Sequence, residues 1–380
     1  MTDWQHEFEL QSDLIYLNHA AVAPWTKRAR IAVQQFAEEN SHLGAAKYET
    51  WLKKEHALRI KLKQLINAES TDEIALQKNT SEGLSTVAYG LHWNVGDEII
   101  ISDEEFPSNR IVWESLSQQF GVVVKKIPLQ HSSPENALID AISPRTRMLA
   151  ISSVQYGSGV KVDLLKLGAA CYSANILFCV DAIQSLGAHA VDVQAAHIDF
   201  LVADAHKWML GPEGIALFYC RKALIEQLQV RQFGWHMIEH FGDYSRTDWS
   251  IAKTARRFEC GSPNMLGVFA LDASLSLILE VGLAEIEAKI RSIVDQFDNQ
   301  LSSVPEISIL SPRSHQTRAG IITFKHATIL PETLFAQLKT HNLVIAMRGG
   351  GIRFSPHFYQ DHSLVERAVN CVKKVIHSAS

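Results

Sequence analysis

An α/β fold with a mainly parallel sheet is predicted by three features of this 380-residue chain. Apolar runs of strand length fall at 99–102, 122–127, 148–154, 176–180, 199–203 and 215–219. The segments between them repeat apolar residues at helical spacing, which is the rhythm of parallel strands joined by crossover helices. Polar residues able to carry chemistry follow directly on two of the runs, Asp181 on one and the Asp204-Ala205-His206-Lys207-Trp208 stretch on another. Open sheets of this class collect ligand groups at those strand ends.

In chain order, residues 1–20 form an N-terminal segment that closes on Leu17-Asn18-His19-Ala20, and a large unit follows over 21–263. Within it, Thr80-Ser81-Glu82-Gly83 opens a segment whose Leu84, Val87 and Ala88 recur at helical spacing, so both hydroxyls sit at a helix N-terminus. Unpaired N–H groups and the helix dipole favour an anion such as phosphate there; simple N-capping by Thr80 or Ser81 is the alternative. Phe106 lies just past the 99–102 strand, in Glu105-Phe106-Pro107-Ser108-Asn109. Gln155 follows the 148–154 strand, and the next residues, Tyr156-Gly157-Ser158-Gly159, read as a turn. A long helical stretch over 264–301 links to a smaller α/β unit over 302–380, with strands near 321–324 and 344–347 and a last helix over 363–376. There is no internal repeat and no low-complexity tract.

Lys207 carries the strongest chemical signal. An ammonium at the end of a buried strand is disfavoured by desolvation, so its pKa falls and the neutral amine becomes a nucleophile towards a carbonyl. Asp181 falls at the corresponding end of another strand. An aldehyde cofactor with a pyridine ring accounts for both residues, because a carboxylate on the ring nitrogen keeps it protonated and makes the ring an electron sink. The cofactor implied is pyridoxal 5'-phosphate.

Val180-Asp181-Ala182-Ile183-Gln184-Ser185 and His206-Lys207-Trp208-Met209-Leu210-Gly211-Pro212 resemble the motifs of the class V aminotransferase family of fold type I pyridoxal-phosphate enzymes, which includes cysteine desulfurases, isopenicillin N epimerase and carbon–sulfur lyases. The resemblance implies a large domain with a seven-stranded, mainly parallel sheet and a smaller C-terminal α/β domain. It further implies a Schiff base on Lys207, with Asp181 on the ring nitrogen and Gln184 beside it. Thr80 and Ser81 would hold the phosphate, His206 would help hold the phosphate or the internal aldimine, Phe106 would stack on the ring, and Gln155 would lie near the phenolic oxygen and the substrate. Ser262, in Arg257-Phe258-Glu259-Cys260-Gly261-Ser262-Pro263-Asn264, would reach the phosphate of a neighbouring subunit in a homodimer with shared sites, or cap the following helix. Arg353, in Met347-Arg348-Gly349-Gly350-Gly351-Ile352-Arg353-Phe354-Ser355, would clamp the substrate carboxylate, and His19 would also contact substrate. Asp204 departs from the pattern, since the family often has serine or threonine there and a carboxylate repels a phosphate dianion; it either points away or binds another group.

The implied substrate is an amino acid, with Lys207 as the base for its Cα proton. Transamination ranks first, and β-elimination by a carbon–sulfur lyase or epimerisation second. A cysteine desulfurase is not expected, because Arg348-Gly349-Gly350-Gly351 is short and lacks the thiol that desulfurases carry there. A cofactor-binding protein without catalysis is a further alternative. So is a zinc hydrolase, since His236-Met237-Ile238-Glu239-His240 fits H-x-x-E-H, but Gly234 and Gly242 leave little room for the helix that motif needs.

Composition fits a globular enzyme: 47% hydrophobic and 20% charged residues. A net charge of −5 makes no electrostatic case for nucleic acid or an anionic membrane. Acidic residues near the start argue against a leader peptide, and Asp272 and Glu280 interrupt the apolar region over 266–284, which argues against a membrane span there. Five cysteines without a C-x-x-C point to reduced thiols and a cytoplasmic setting.

Overall fold

The computed structural model describes residues 4–129 and 131–379. The elements run β1 (Ile15–Tyr16), α1 (Lys27–Leu43), α2 (Tyr48–Ile66), β2 (Ile74–Gln77), α3 (Thr80–Gly90), β3 (Glu98–Ser102), α4 (Ser108–Phe120), β4 (Val123–Ile127), α5 (Pro134–Asp140), β5 (Thr146–Ser152), α6 (Leu164–Ala174), β6 (Leu177–Asp181), β7 (Phe200–Asp204) and β8 (Ala216–Cys220). Then come α7 (Met265–Val281), α8 (Leu283–Ser302), β9 (Ile307–Ile309), β10 (Ile322–His326), α9 (Pro331–Lys339), β11 (Leu343–Val344), β12 (Ala346–Arg348), β13 (Gly351–Phe354) and α10 (His362–Ala379).

Seven strands form the large sheet in the order β2-β8-β7-β6-β5-β3-β4. β8 runs antiparallel to both its neighbours, and the other pairings are parallel. The six predicted strands all lie in this sheet, within one or two residues of their expected bounds. β2 was not foreseen, because four residues bounded by Asp72-Glu73 and Lys78 give too short a signal for periodicity to detect. Central strands β5 to β8 are buried almost throughout, as strands covered by helices on both faces must be.

The helical stretch expected over 264–301 is two helices meeting at 82°. Gly282, at φ 86°, makes the break, a conformation that only glycine adopts without strain. Before the break, α7 packs on α1 and α2, and its buried Asp272 is neutralised by Lys54 at 3.0 Å and Lys61 at 2.7 Å, both from α2. After it, α8 packs against α10 and the four-stranded antiparallel sheet β12-β13-β10-β9. No single helix among the described residues is long and apolar enough to cross a membrane.

The strand expected at 344–347 also divides. β11 pairs in parallel with β1, and β12 joins the small sheet. This pairing draws the N-terminal segment across the molecule: Leu17 N–H donates to the Val344 carbonyl, Ser355 N–H to that of Leu17, and Ala23 N–H to that of His206. One extended segment thereby ties the small sheet to the loop that carries Lys207.

Candidate active site

A cavity opens at the C-terminal ends of β6 and β7, and Thr80, Ser81, Phe106, Asp181, Gln184, His206, Lys207 and Arg353 all line it. Asp181 ends β6 and Asp204 ends β7, so Lys207 emerges three residues beyond the sheet, beside the carboxylate of the neighbouring strand.

Helix α3 points its N-terminus into the cavity. Its cap is the Asn79 side chain, which accepts from Glu82 N–H, so neither Thr80 nor Ser81 is consumed by capping. Gly83 is what lets α3 lie this close to β7, since a Cβ there would meet Val202 Cγ1 at 2.4 Å. The contact puts Thr80 Oγ1 3.1 Å from the Asp204 backbone N–H, which donates to it, while the Ser81 hydroxyl donates to Ser108 at 2.8 Å.

Asp204 does not point away. It lines the cavity, and its Oδ1 lies 2.9 Å from His206 Nδ1, although the two are not aligned as a hydrogen bond. Gln184 is held at both ends, donating to the Ala20 carbonyl at 3.0 Å and accepting from Trp208 Nε1 at 2.9 Å.

Burial dominates the electrostatics. Desolvation lifts the Asp181 carboxyl to about 7, with Glu105 adding to the rise, against its hydrogen bond from Ile183 N–H and the attraction of Lys207. The Lys207 amine is lowered to about 8, again mainly by burial and then by Arg353 and Arg348, while Asp181 and Asp204 oppose the change. Its Nζ lies 5.5 Å from the centre of the Phe106 ring, which is itself set edge-on to Tyr156 at 5.1 Å. Arg353 is drawn down to about 9 by burial and by Arg348. It donates to the Tyr156 carbonyl at 2.7 Å, its Nε is unpaired, and no carboxylate among the described residues is in ion-pair contact with it.

Two residues expected in this site, His19 and Gln155, do not line the cavity, and Ser262, expected to reach a neighbouring subunit, does not line it either. His19 is fully buried; Nδ1 faces the Ser355 carbonyl at 2.8 Å and Nε2 the Tyr359 hydroxyl at 2.9 Å, so both ring nitrogens are engaged and neither is free for substrate. Gln155 is also buried, donating at 3.0 Å to Glu105, a carboxylate that further accepts from Ser152 and Asn109; the Gln155 Oε1 has no partner. Ser262 is exposed in a separate cleft, and Asn264, not Ser262, caps α7.

Asn79, Ser108, Tyr156 and Arg348 line the cavity without having been singled out for it. Tyr156 was hidden in a stretch that reads as a turn, and Arg348 stood five residues before a better-placed arginine. The H-x-x-E-H segment is not helical, so its histidines do not share a helix face. Instead, buried His236 lies near Glu55 and Glu259, whose carboxylates are occupied by Arg59 at 2.5–2.8 Å.

The donors present fit pyridoxal phosphate: a buried amine, a carboxylate one strand away, an aromatic face over the amine, and hydroxyls at a helix N-terminus. Comparison with known proteins agrees. The family model described as aminotransferase class V matches residues 15–361. A probable cysteine desulfurase of Methanothermobacter thermautotrophicus is 28% identical over 94% of this chain and 93% of its own length. A cysteine desulfurase of Yersinia pestis is 33% identical over 70% of this chain and 66% of its own. The apo cysteine desulfurase of Thermococcus onnurineus superposes with a TM-score of 0.89 at 25% identity, covering 99% of this chain and 98% of its own. A cystine C-S lyase, C-DES, shares the fold with a TM-score of 0.88 at 20% identity, over 95% and 98% of the two chains.

Proposed function

We propose, from the premise that this chain belongs to the class V aminotransferase family and is a pyridoxal-phosphate enzyme of fold type I, that it is a carbon–sulfur lyase acting on a β-thio-substituted amino acid. The relatives named for cysteine desulfuration move carbon–sulfur cleavage ahead of the transamination that the sequence alone ranks first. The observation that carries the reading is the placement of Lys207 and Arg353 in one cavity with no cysteine lining it.

Bound pyridoxal phosphate supplies the electron sink that stabilises negative charge at Cα. Arg353 holds the α-carboxylate through its guanidinium fork, which fixes the Cα–H bond relative to Lys207. Lys207 Nζ takes the Cα proton, and the lowered affinity of that amine for protons suits it to act near neutral pH. The Cβ–S bond then breaks with its electron pair on sulfur. Asp181 would hold the pyridine nitrogen protonated, and Thr80 and Ser81, at the N-terminus of α3, would hold the phosphate.

Release of the sulfur as a free product, without capture on a protein thiol, is supported by the local backbone. β12 and β13 are joined by a two-residue turn, Gly349 at φ 58° and Gly350 at φ 77°, with Arg348 opposite Gly351. Such a turn leaves no loop for a cysteine. Cys171, Cys179 and Cys220 are buried elsewhere, and Cys260 and Cys371 lie outside the cavity. The exposed position of Ser262, away from its own cavity, is consistent with a homodimer in which it serves the other subunit.

Incubation with S-alkyl cysteines one at a time tests the reading. Pyruvate and ammonia in equal amounts are expected. Accumulation of the pyridoxamine form with a keto acid, or a persulfide mapped to any of the five cysteines, overturns it.

A further inference from the structure

Two guanidinium groups, Arg348 and Arg353, line the same cavity, and an α-amino acid needs only one of them for its carboxylate. Arg353 is the buried one, held from behind by the Tyr156 carbonyl, and is placed to take that carboxylate. Arg348 is exposed at the cavity edge; its Nη1 donates to the Met347 carbonyl at 2.8 Å, and no carboxylate among the described residues pairs with it.

Arg348 is also held where it is. It flanks the Gly349-Gly350 turn, and the turn is clamped on the stretch that carries Tyr156: a Cβ on Gly349 would meet the Gly157 carbonyl oxygen at 2.7 Å, and one on Gly157 would meet Gly349 Cα at 3.2 Å. Thr323 anchors the same carbonyl with a hydrogen bond of 2.7 Å. The packed hairpin sets one cation near another at the same cavity, and the repulsion contributes to the lowering of Arg353. Like charges held together without a protein carboxylate call for an anion on the ligand.

We infer that Arg348 is a specificity-determining residue that binds a second anionic group on the substrate, so that the preferred substrate is a cysteine thioether whose sulfur substituent ends in an acid. The inference rests on the carbon–sulfur lyase reading for its substrate class. In the reaction the Cα proton passes to Lys207, the Cβ–S bond breaks, and the leaving thiolate carries the distal acid away paired to Arg348.

S-carboxymethyl-L-cysteine and its amide isostere, S-carbamoylmethyl-L-cysteine, differ in charge at nearly equal size. The acid should be favoured in kcat/KM by about two- to fivefold, the range for pairing with a solvent-exposed arginine. The same preference should appear in equilibrium binding to cofactor-loaded Lys207→Ala protein, read from the change in cofactor absorbance. Arg348→Gln should bring both ratios to near one, and Arg348→Lys should retain part of the preference. Equal handling of acid and amide by the wild type, a preference that survives Arg348→Gln, or faster loss of cofactor from that variant each overturns the assignment, the last by making Arg348 a phosphate ligand. A binding preference without pyruvate from either compound would sink the lyase reading and leave the role of Arg348 standing.

Discussion

The Lys207 Nζ sits 5.5 Å from the centre of the Phe106 ring, so the amine is presented to a flat aromatic face at the point where a cofactor ring would lie. Phe106 reaches this place from the loop after β3, and Lys207 from the loop after β7. Neither loop predicts the other. The parallel register of the sheet brings their strand ends to one side.

Capture of pyridoxal phosphate by the apoprotein should follow the deprotonation of Lys207. Burial lowers this amine from its ordinary 10.5 to about 8, so the rate of attachment should rise with pH to a midpoint near 8. Stopped-flow absorbance reads the midpoint, and a value close to 10.5 would contradict the placement. Lys207→Ala should lose the borohydride-fixed cofactor altogether.

Asp181→Ala should leave the cofactor attached and lower turnover by about a hundredfold or more, since the ring nitrogen loses the group that keeps it protonated. Comparing borohydride labelling with kcat separates this outcome from a loss of cofactor. Equal loss of both would mean that Asp181 only supports the fold.

Arg59 joins α2 to the segment before α7 through two bonds to Glu259, at 2.6 and 2.8 Å, and also pairs within α2 with Glu55 at 2.5 Å. Glu259 also accepts from Leu76 N–H on the edge strand β2. Arg59→Ala leaves two buried carboxylates without their cation and should cost about 3–5 kcal/mol in urea unfolding. Zinc should not raise the melting temperature of the wild type, because Arg59 already occupies those carboxylates.

His19 should make the fold acid-sensitive. Burial lowers it from 6.5 to about 4, so the unfolded chain binds its proton more readily than the folded one. The stabilisation, about 3 kcal/mol, is fully present above roughly pH 6.5 and is lost as pH falls through 4. His357, held well below its ordinary value by burial and by His19, acts in the same direction. In His19→Gln, the decline in stability between pH 7 and 5 should be shallower; an unchanged slope would exclude His19 as a source.

Mixed dimers address the proposed sharing of sites. A Lys207→Ala chain paired with a Ser262→Ala chain has one site with both groups intact and one with neither, so tight cofactor binding should return to half the sites. A monomer with full activity in analytical ultracentrifugation would refute the arrangement.

Much of the site was legible because its central residues are tied to strand ends. An apolar run marks a buried strand, and the polar residue that follows it emerges at the sheet's edge, so Asp181 and Lys207 could be assigned from local pattern. Thr80 and Ser81 were legible for a similar reason, since a helix start exposes unpaired N–H groups whatever the tertiary context. His19 and Gln155 carried no such local signal. Each has the right residue type for a ligand, but where its side chain goes depends on partners hundreds of positions away in one case, Ser355 and Tyr359, and on a buried acid, Glu105, in another.

The sequence by itself determined the alternation of strands and helices, the polar residues that follow two strand ends and the absence of a thiol beside Arg353, because these depend on periodicity and on neighbours along the chain. Only the tertiary structure decided that Gly282 splits the long helix, that β1 crosses to pair with β11, and that Arg348 joins Arg353 at one cavity. Those outcomes turn on which distant backbones come close enough to touch. The contact of Gly349 with Gly157 is such a case: two glycines 192 positions apart meet because neither has a side chain to keep them separate.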